Sequence, residues 1–140
     1  MTNATSNFKN WVNGYGVIQH QPHTQVWVQK IVKQLTQAGH NEALLFSLLT
    51  AADRIANAGM WLVAHQTYAC RIDLQDNDLQ ASDFKLHPQG HMGGSLNMVV
   101  AYVGYMLANA LSGTTRSWVM GQGHCVSAID SINLLLDNMR

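Results

Sequence analysis

Charged residues are scarce in this chain of 140 residues, where they make up 11% of the sequence, against about 25% in a typical soluble protein. The eight Lys and Arg residues are balanced by eight Asp and Glu residues. A neutral chain lacks the positive surface with which proteins bind nucleic acids or anionic membranes, so neither partner is expected. The low charge also predicts that a partner, or another part of a larger protein, covers some of the surface.

Cysteines and long apolar runs are also few. Cys70 and Cys125 form no CxxC motif, and a reduced, cytoplasmic setting is therefore expected. Residues 1–13 are polar and lack the apolar core of a signal peptide. The apolar run at residues 98–108 is shorter than the ~20 residues that span a bilayer. It therefore predicts a buried core helix rather than a membrane span.

The spacing of apolar residues predicts four helices. These helices cover residues 26–38, 42–58 with a continuation to 68, 96–111, and 126 to the end. The continuation past Gly59 is open to two interpretations, one kinked helix or two helices. Asn41 and Ser95 are suited to capping the second and third of these helices. The third is apolar all round, so it is expected to be buried on most sides.

Other segments predict the domain organisation. Residues 1–22 are polar and punctuated by glycine, which indicates an N-terminal arm, and residues 23–140 are expected to form the domain. The charged stretch 71–86 predicts a connecting loop, and residues 117–120 predict a short buried strand. The last helix pattern runs to Arg140 without a cap, which predicts that the chain is a piece of a longer protein.

Two glycine-histidine segments are the most informative motifs. They are Gly90-His91-Met92-Gly93 and Gly121-Gln122-Gly123-His124, and each precedes a predicted helix. Backbone N–H groups and the helix dipole at such a position favour an anion such as a phosphate. An imidazole can bond to a hydroxyl group and can transfer protons near neutral pH. We therefore predict that His91 and His124 line one pocket for a phosphorylated small molecule.

The second segment also has a possible nucleotide-binding interpretation. Gly121 and Gly123 match the first two glycines of the dinucleotide-binding fingerprint. Val126 stands where the third glycine belongs, and no acidic residue follows at the required distance. A tight turn whose glycines permit positive φ is the structural alternative.

The histidines and cysteines favour neither a metal site nor a nucleophile. His87 and His91 are four residues apart, but Pro88 and Gly90 prevent a shared helix, and no metal site is predicted. Cys125 follows His124 directly, and adjacent side chains rarely face each other. An inert, buried thiol is therefore the expected state of Cys125.

The paired segments, with one predicted helix between them, resemble the N-terminal region of thiamine-diphosphate enzymes, and among these the phosphoketolases and then the transketolases. Phosphoketolases carry Gly-His-Trp-Gly with Gly-Leu-Asn soon after, and Gly-Pro-Gly-His-Gly downstream. The corresponding segments here are Gly90-His91-Met92-Gly93, Ser95-Leu96-Asn97 and Gly121-Gln122-Gly123-His124-Cys125. The similarity covers residues 42–136, including the stretch 58–78 that leads into the first motif.

The resemblance implies an α/β fold, the N-terminal part of a thiamine-diphosphate-binding domain that is mostly helical with a short buried strand. It implies that His91 and His124 are catalytic. Gly121, Gly123 and His124 would bind the cofactor. His91, Gly93 and Ser95 would bind a ketose phosphate such as xylulose 5-phosphate.

The implied cofactors are thiamine diphosphate and Mg²⁺, and the implied assembly is a homodimer. The family binds the metal through a Gly-Asp-Gly segment and a later asparagine, which these 140 residues do not contain, so the metal ligands are expected elsewhere. Met92 and Cys125 stand where phosphoketolases have Trp and Gly. Ketol transfer, phosphoketolase cleavage and epimerisation therefore stay open. The alternatives are a non-catalytic binding or assembly domain and a nucleotide-binding domain.

Overall fold

The computed structural model describes residues 2–71, 77–121 and 123–139. Five α-helices and two short 3₁₀ turns account for most of this part of the chain. The helices are α1 (Thr2–Val12), α2 (Pro22–Gln37), α3 (Glu42–Tyr68), α4 (Met92–Ser112) and α5 (Val126–Leu135), and the 3₁₀ turns are Ala81–Asp83 and Gly123–Cys125.

The predicted α/β fold class is wrong, because the described residues are mostly helical and contain no strand or sheet. Residues 117–120 are irregular rather than a buried strand. A strand needs a neighbour that accepts and donates its backbone hydrogen bonds, and no described segment pairs with this one. Its Trp118 ring packs instead on α4, with ring centroids 5.4 Å from Tyr102 and 5.0 Å from Tyr105. Val119 is 90% exposed.

Helices α2 and α3 confirm the predicted helices in this region. Helix α2 begins earlier than predicted, at Pro22, where the fixed φ of proline suits the first turn. Gly39, with φ +99°, lies just beyond its end. Helix α3 continues through Gly59 as one helix. The Oδ1 atom of Asn41 accepts a hydrogen bond from the amide of Leu44 (3.1 Å), which confirms Asn41 as its cap.

Helix α4 differs from its prediction in two respects. It begins at Met92, so His91 is the N-cap residue and Ser95 lies inside the first turn instead of capping it. It is also less buried than predicted, since 22% of its most apolar 18-residue window is buried. Its described neighbours in the second half of the chain are mainly α5 and the turn before it. By length and composition α4 is the one described helix that could cross a membrane.

Backbone contacts divide the chain into two compact units, residues 1–57 and 58–140, with the division inside α3. In the first unit, the segment expected to be an arm forms helix α1, and Trp11 of this helix is buried. The Trp11 ring stacks on His20 with centroids 4.0 Å apart. His20 Nε2 lies 2.9 Å from Asp53 Oδ2. Burial raises the pKa of the Asp53 carboxyl, and the hydrogen bond to His20 partly opposes this shift.

In the second unit, a buried cluster joins the end of α3 to α4 and α5. Val63, Val99 and Ile132 are completely buried. A Cβ atom at Gly59 would lie 2.6 Å from Ile132 Cδ1 and 3.2 Å from Val99 Cγ1. Since atoms this close would overlap, glycine at this position lets the three helices pack in direct contact.

Arg71 and Asp83 join the two ends of the predicted loop. Arg71 donates hydrogen bonds from Nε to Oδ1 of Asp83 (2.7 Å) and from Nη2 to Oδ2 (3.1 Å). The amide of Gln80 also donates to Oδ2 of Asp83 (2.8 Å). These bonds, first the one from Arg71, lower the pKa of the Asp83 carboxyl. Residues 72–76 of the predicted loop lie outside the described residues.

Candidate anion-binding site at two helix N-termini

The second unit brings together the two histidines that the sequence places in one pocket. His91 is the residue before α4, and His124 lies in the 3₁₀ turn before α5. Their ring centroids are 3.9 Å apart, with 49° between the ring planes. Both side chains are exposed. Neither ring forms a hydrogen bond with another described residue, so both rings can bond to a ligand.

The N-termini of α4 and α5 contribute backbone donors next to this pair. The first amides of a helix have no partner within the helix, and the aligned peptide dipoles place a partial positive charge there. Neither helix has an acidic residue in its first turn, and neither N-cap side chain forms a capping hydrogen bond. The described side chains therefore leave this charge uncompensated, which favours an anionic ligand.

Glycines leave open space around the histidine pair. A Cβ atom at Gly93, Gly121 or Gly123 would meet no other group within 4 Å. Gly90 has φ +140°, a conformation that other residues rarely adopt. Gln122, between two of these glycines, lies outside the described residues. The absence of side chains at the three open glycines lets a ligand approach the backbone.

Ser95 is placed differently from the role implied by the resemblance. Its side chain is buried, with 1% of the residue exposed. Its Oγ atom donates a hydrogen bond to the backbone carbonyl of His124 (2.8 Å) and accepts one from Ser127 Oγ (2.8 Å). Ser95 thus joins α4 to the turn that carries His124, and its hydroxyl is not positioned to touch a ligand.

The hydrogen bonds of Ser95 belong to a longer network that the sequence did not predict. Ser131 Oγ donates to the carbonyl of Ser127 (2.6 Å) and accepts from Gln66 Nε2 (3.0 Å). A buried hydroxyl without a partner is costly, and each of these hydroxyl groups has one. The signal in the sequence is weak: two serines four residues apart among the apolar residues of α5.

The described residues contain no cluster of metal ligands and no disulfide. No group of three or more His, Cys, Asp or Glu residues in the described ranges is placed to hold a metal ion. Cys125 is buried, as predicted, and Cys70 is exposed, and both are free thiols. Residues 117–120, which precede Gly121, are irregular, whereas the turn of a dinucleotide-binding motif follows a strand.

These features define a class of site, an exposed imidazole pair at two helix N-termini. Comparison of the chain with protein-family models, curated proteins and solved structures finds no match. The features that bear on function are therefore the geometry around His91 and His124 and the resemblance of the two glycine-histidine segments.

Proposed function

We propose that this chain supplies two histidines to the active site of a thiamine-diphosphate-dependent enzyme of phosphoketolase or transketolase type. The enzyme would cleave a C–C bond of ketose phosphates such as xylulose 5-phosphate. The main support is the 3.9 Å separation of the His91 and His124 ring centroids. The two residues come from segments on either side of α4, and the resemblance implies that they act in one site.

The residues around the pair fit a phosphate or diphosphate group. Uncompensated helix N-termini and the open glycines Gly93, Gly121 and Gly123 offer backbone amides to phosphate oxygens. In this proposal His124, with Gly121 and Gly123, lies near the diphosphate of the cofactor, and His91 contacts the sugar phosphate. The Mg²⁺ ligands would come from outside the described residues, from the same polypeptide or from the second subunit of a homodimer.

The two imidazoles would bind hydroxyl groups of the sugar and move protons. Thiamine diphosphate, when bound, supplies the nucleophilic carbon and the electron sink for C–C cleavage. When the bond between C2 and C3 of a ketose breaks, the C3 hydroxyl loses its proton and becomes a carbonyl group. An imidazole within hydrogen-bond distance of that hydroxyl accepts the proton. His91 is the candidate base, and His124 can hold a neighbouring oxygen.

The direct test uses the protein or complex purified from its source through a tag on this chain. We expect bound thiamine diphosphate, detected by fluorescence after oxidation, and consumption of xylulose 5-phosphate. An acyl phosphate formed with inorganic phosphate would indicate phosphoketolase cleavage, and a longer ketose formed with an aldose phosphate would indicate ketol transfer. A folded complex with neither bound cofactor nor turnover would refute the proposal.

Substitution of the histidines tests their roles separately. His91→Gln and His124→Gln should each lower kcat/KM by about 10²-fold or more, the usual contribution of a general acid or base. His40→Gln is the matched control, since His40 is also exposed but lies between α2 and α3. Equal activity of the control and of both site variants would contradict the assigned roles.

A non-catalytic assembly domain is the second candidate function. It is favoured by the exposure of α4, a long apolar helix of which 22% of the most apolar window is buried. This alternative predicts a stable complex that binds no thiamine diphosphate and turns over no ketose phosphate.

A further inference from the structure

We infer that Ser127 is a positioning residue that holds His124 beside His91, acting through Ser95. The hydroxyl of Ser127 donates to Ser95 Oγ (2.8 Å), and the hydroxyl of Ser95 donates to the carbonyl of His124 (2.8 Å). The ring of His124 then lies 3.9 Å from that of His91, measured between centroids. The purpose of this arrangement rests on the proposed function, whereas the arrangement itself can be tested without it.

The directions of the two hydrogen bonds place Ser127 at the start of a series of hydrogen bonds that ends at the carbonyl of His124. A serine has one hydroxyl proton to donate, and Ser95 uses its proton on the carbonyl of His124. Ser95 is buried, so its oxygen relies on a protein donor rather than on water. Ser127 is that donor. A hydroxyl that accepts one bond while donating another is polarised, which strengthens the bond to the carbonyl of His124.

The next turn of α5 fixes the position of Ser127. Ser131, one turn later, is fully buried and donates to the carbonyl of Ser127 (2.6 Å). Gln66 of α3 donates to Ser131 Oγ (3.0 Å). Through these bonds α3 and α5 hold the donor in place, and Ser95 connects it to α4. These hydrogen bonds thus link α3, α4 and α5 to the backbone of His124.

The test measures the distance between the two rings in the full chain, by nuclear Overhauser effects between ring protons of His91 and His124 after isotopic labelling of histidine. Ser127→Ala should abolish or weaken the ring-to-ring signal. Ser127→Thr keeps the hydroxyl and should restore it. Ser131→Ala is the comparison variant: it removes a buried hydroxyl of the same helix that bonds to the carbonyl of Ser127 and not to Ser95, so it should weaken the signal less than Ser127→Ala. If Ser127→Ala does not fold, Ser127→Cys replaces it, with similar volume and a weak donor.

Three results would overturn the inference: an unchanged signal in Ser127→Ala, an equal loss in Ser131→Ala, or no recovery in Ser127→Thr. The measurement needs no cofactor, so its outcome is independent of the presence of thiamine diphosphate. In the purified enzyme, Ser127→Ala should lower kcat more than it raises KM, and Ser127→Thr should reverse this. Loss of the ring signal together with an enzyme that binds no cofactor would refute the proposed function and leave the positioning role standing.

Discussion

The contact of Gly59 with Ile132 and Val99 predicts a strong energetic coupling between α3 and α5. A methyl group at residue 59 would lie 2.6 Å from Ile132 Cδ1 and 3.2 Å from Val99 Cγ1. Relieving such overlap costs about 1–3 kcal/mol in a packed core. Replacing glycine by alanine inside a helix returns about 1 kcal/mol. Gly59→Ala alone should therefore lower the free energy of unfolding by up to about 2 kcal/mol.

Ile132→Val removes the atom that causes the closest overlap. Valine has no Cδ1, and the Cγ1 atom of Ile132 is 3.6 Å from the position of the added methyl group, which is ordinary contact. Ile132→Val alone should cost about 0.5–1.5 kcal/mol. In this background Gly59→Ala should become stabilising, by up to about 1 kcal/mol, once Val99 shifts slightly. The two substitutions should therefore be coupled by about 1–3 kcal/mol.

Urea unfolding of the wild type, both single variants and the double variant, followed by circular dichroism, measures this coupling. Gly104→Ala is the control, because a Cβ atom at this helical glycine would meet nothing within 4 Å. It should stabilise the wild type and the Ile132→Val variant equally, by about 1 kcal/mol. Effects of Gly59→Ala and Ile132→Val that add within about 0.5 kcal/mol would refute the packing argument.

The Arg71–Asp83 pair and Gly90 give two further predictions. Because the pKa of Asp83 is lowered in the folded chain, its stabilising effect is present above the usual carboxyl pKa of about 4 and is lost as pH falls below it. The melting temperature of Asp83→Asn should thus be below that of the wild type at pH 7, and the difference should shrink as pH falls below about 4. A difference that does not change with pH would count against the hydrogen bonds from Arg71 to Asp83 as the cause. Gly90→Ala should destabilise the chain in urea by about 1–3 kcal/mol, since its φ is +140°. Gly93→Ala, in open space, should not, and equal effects would show that backbone strain is not the cause.

Apolar spacing and capping residues predicted α2, α3 and the Asn41 cap because these signals are local. Helix α1 was missed because few of its residues are apolar, and the burial of Trp11 depends on a stack with His20 that spacing does not show. The prediction of a strand at 117–120 was wrong because a short apolar run does not by itself determine whether its backbone is extended or irregular. Trp118 instead packs against Tyr102 and Tyr105 of α4.

The sequence predicted the histidines of the candidate site but not the hydrogen bonds that hold them in place. Both histidines could be singled out from their glycine segments, and the structure places their rings side by side. Ser95 could be found as a motif residue, but its hydrogen bond to the carbonyl of His124 follows from the meeting of two segments distant in sequence. Ser127 belongs to no motif. A serine in an apolar helix gives no functional signal in the sequence, because its hydrogen-bond acceptor, Ser95, is seen only in the structure.

The exposed apolar surface of α4 has a calorimetric consequence for any association of this chain. Water around Val100 and its apolar neighbours has a higher heat capacity than bulk water, and it is released when the surface is covered. Binding of a partner at this helix should therefore have a negative heat-capacity change, and its enthalpy should become more favourable on warming. A partner that binds through polar groups elsewhere on the chain would show little of this temperature dependence.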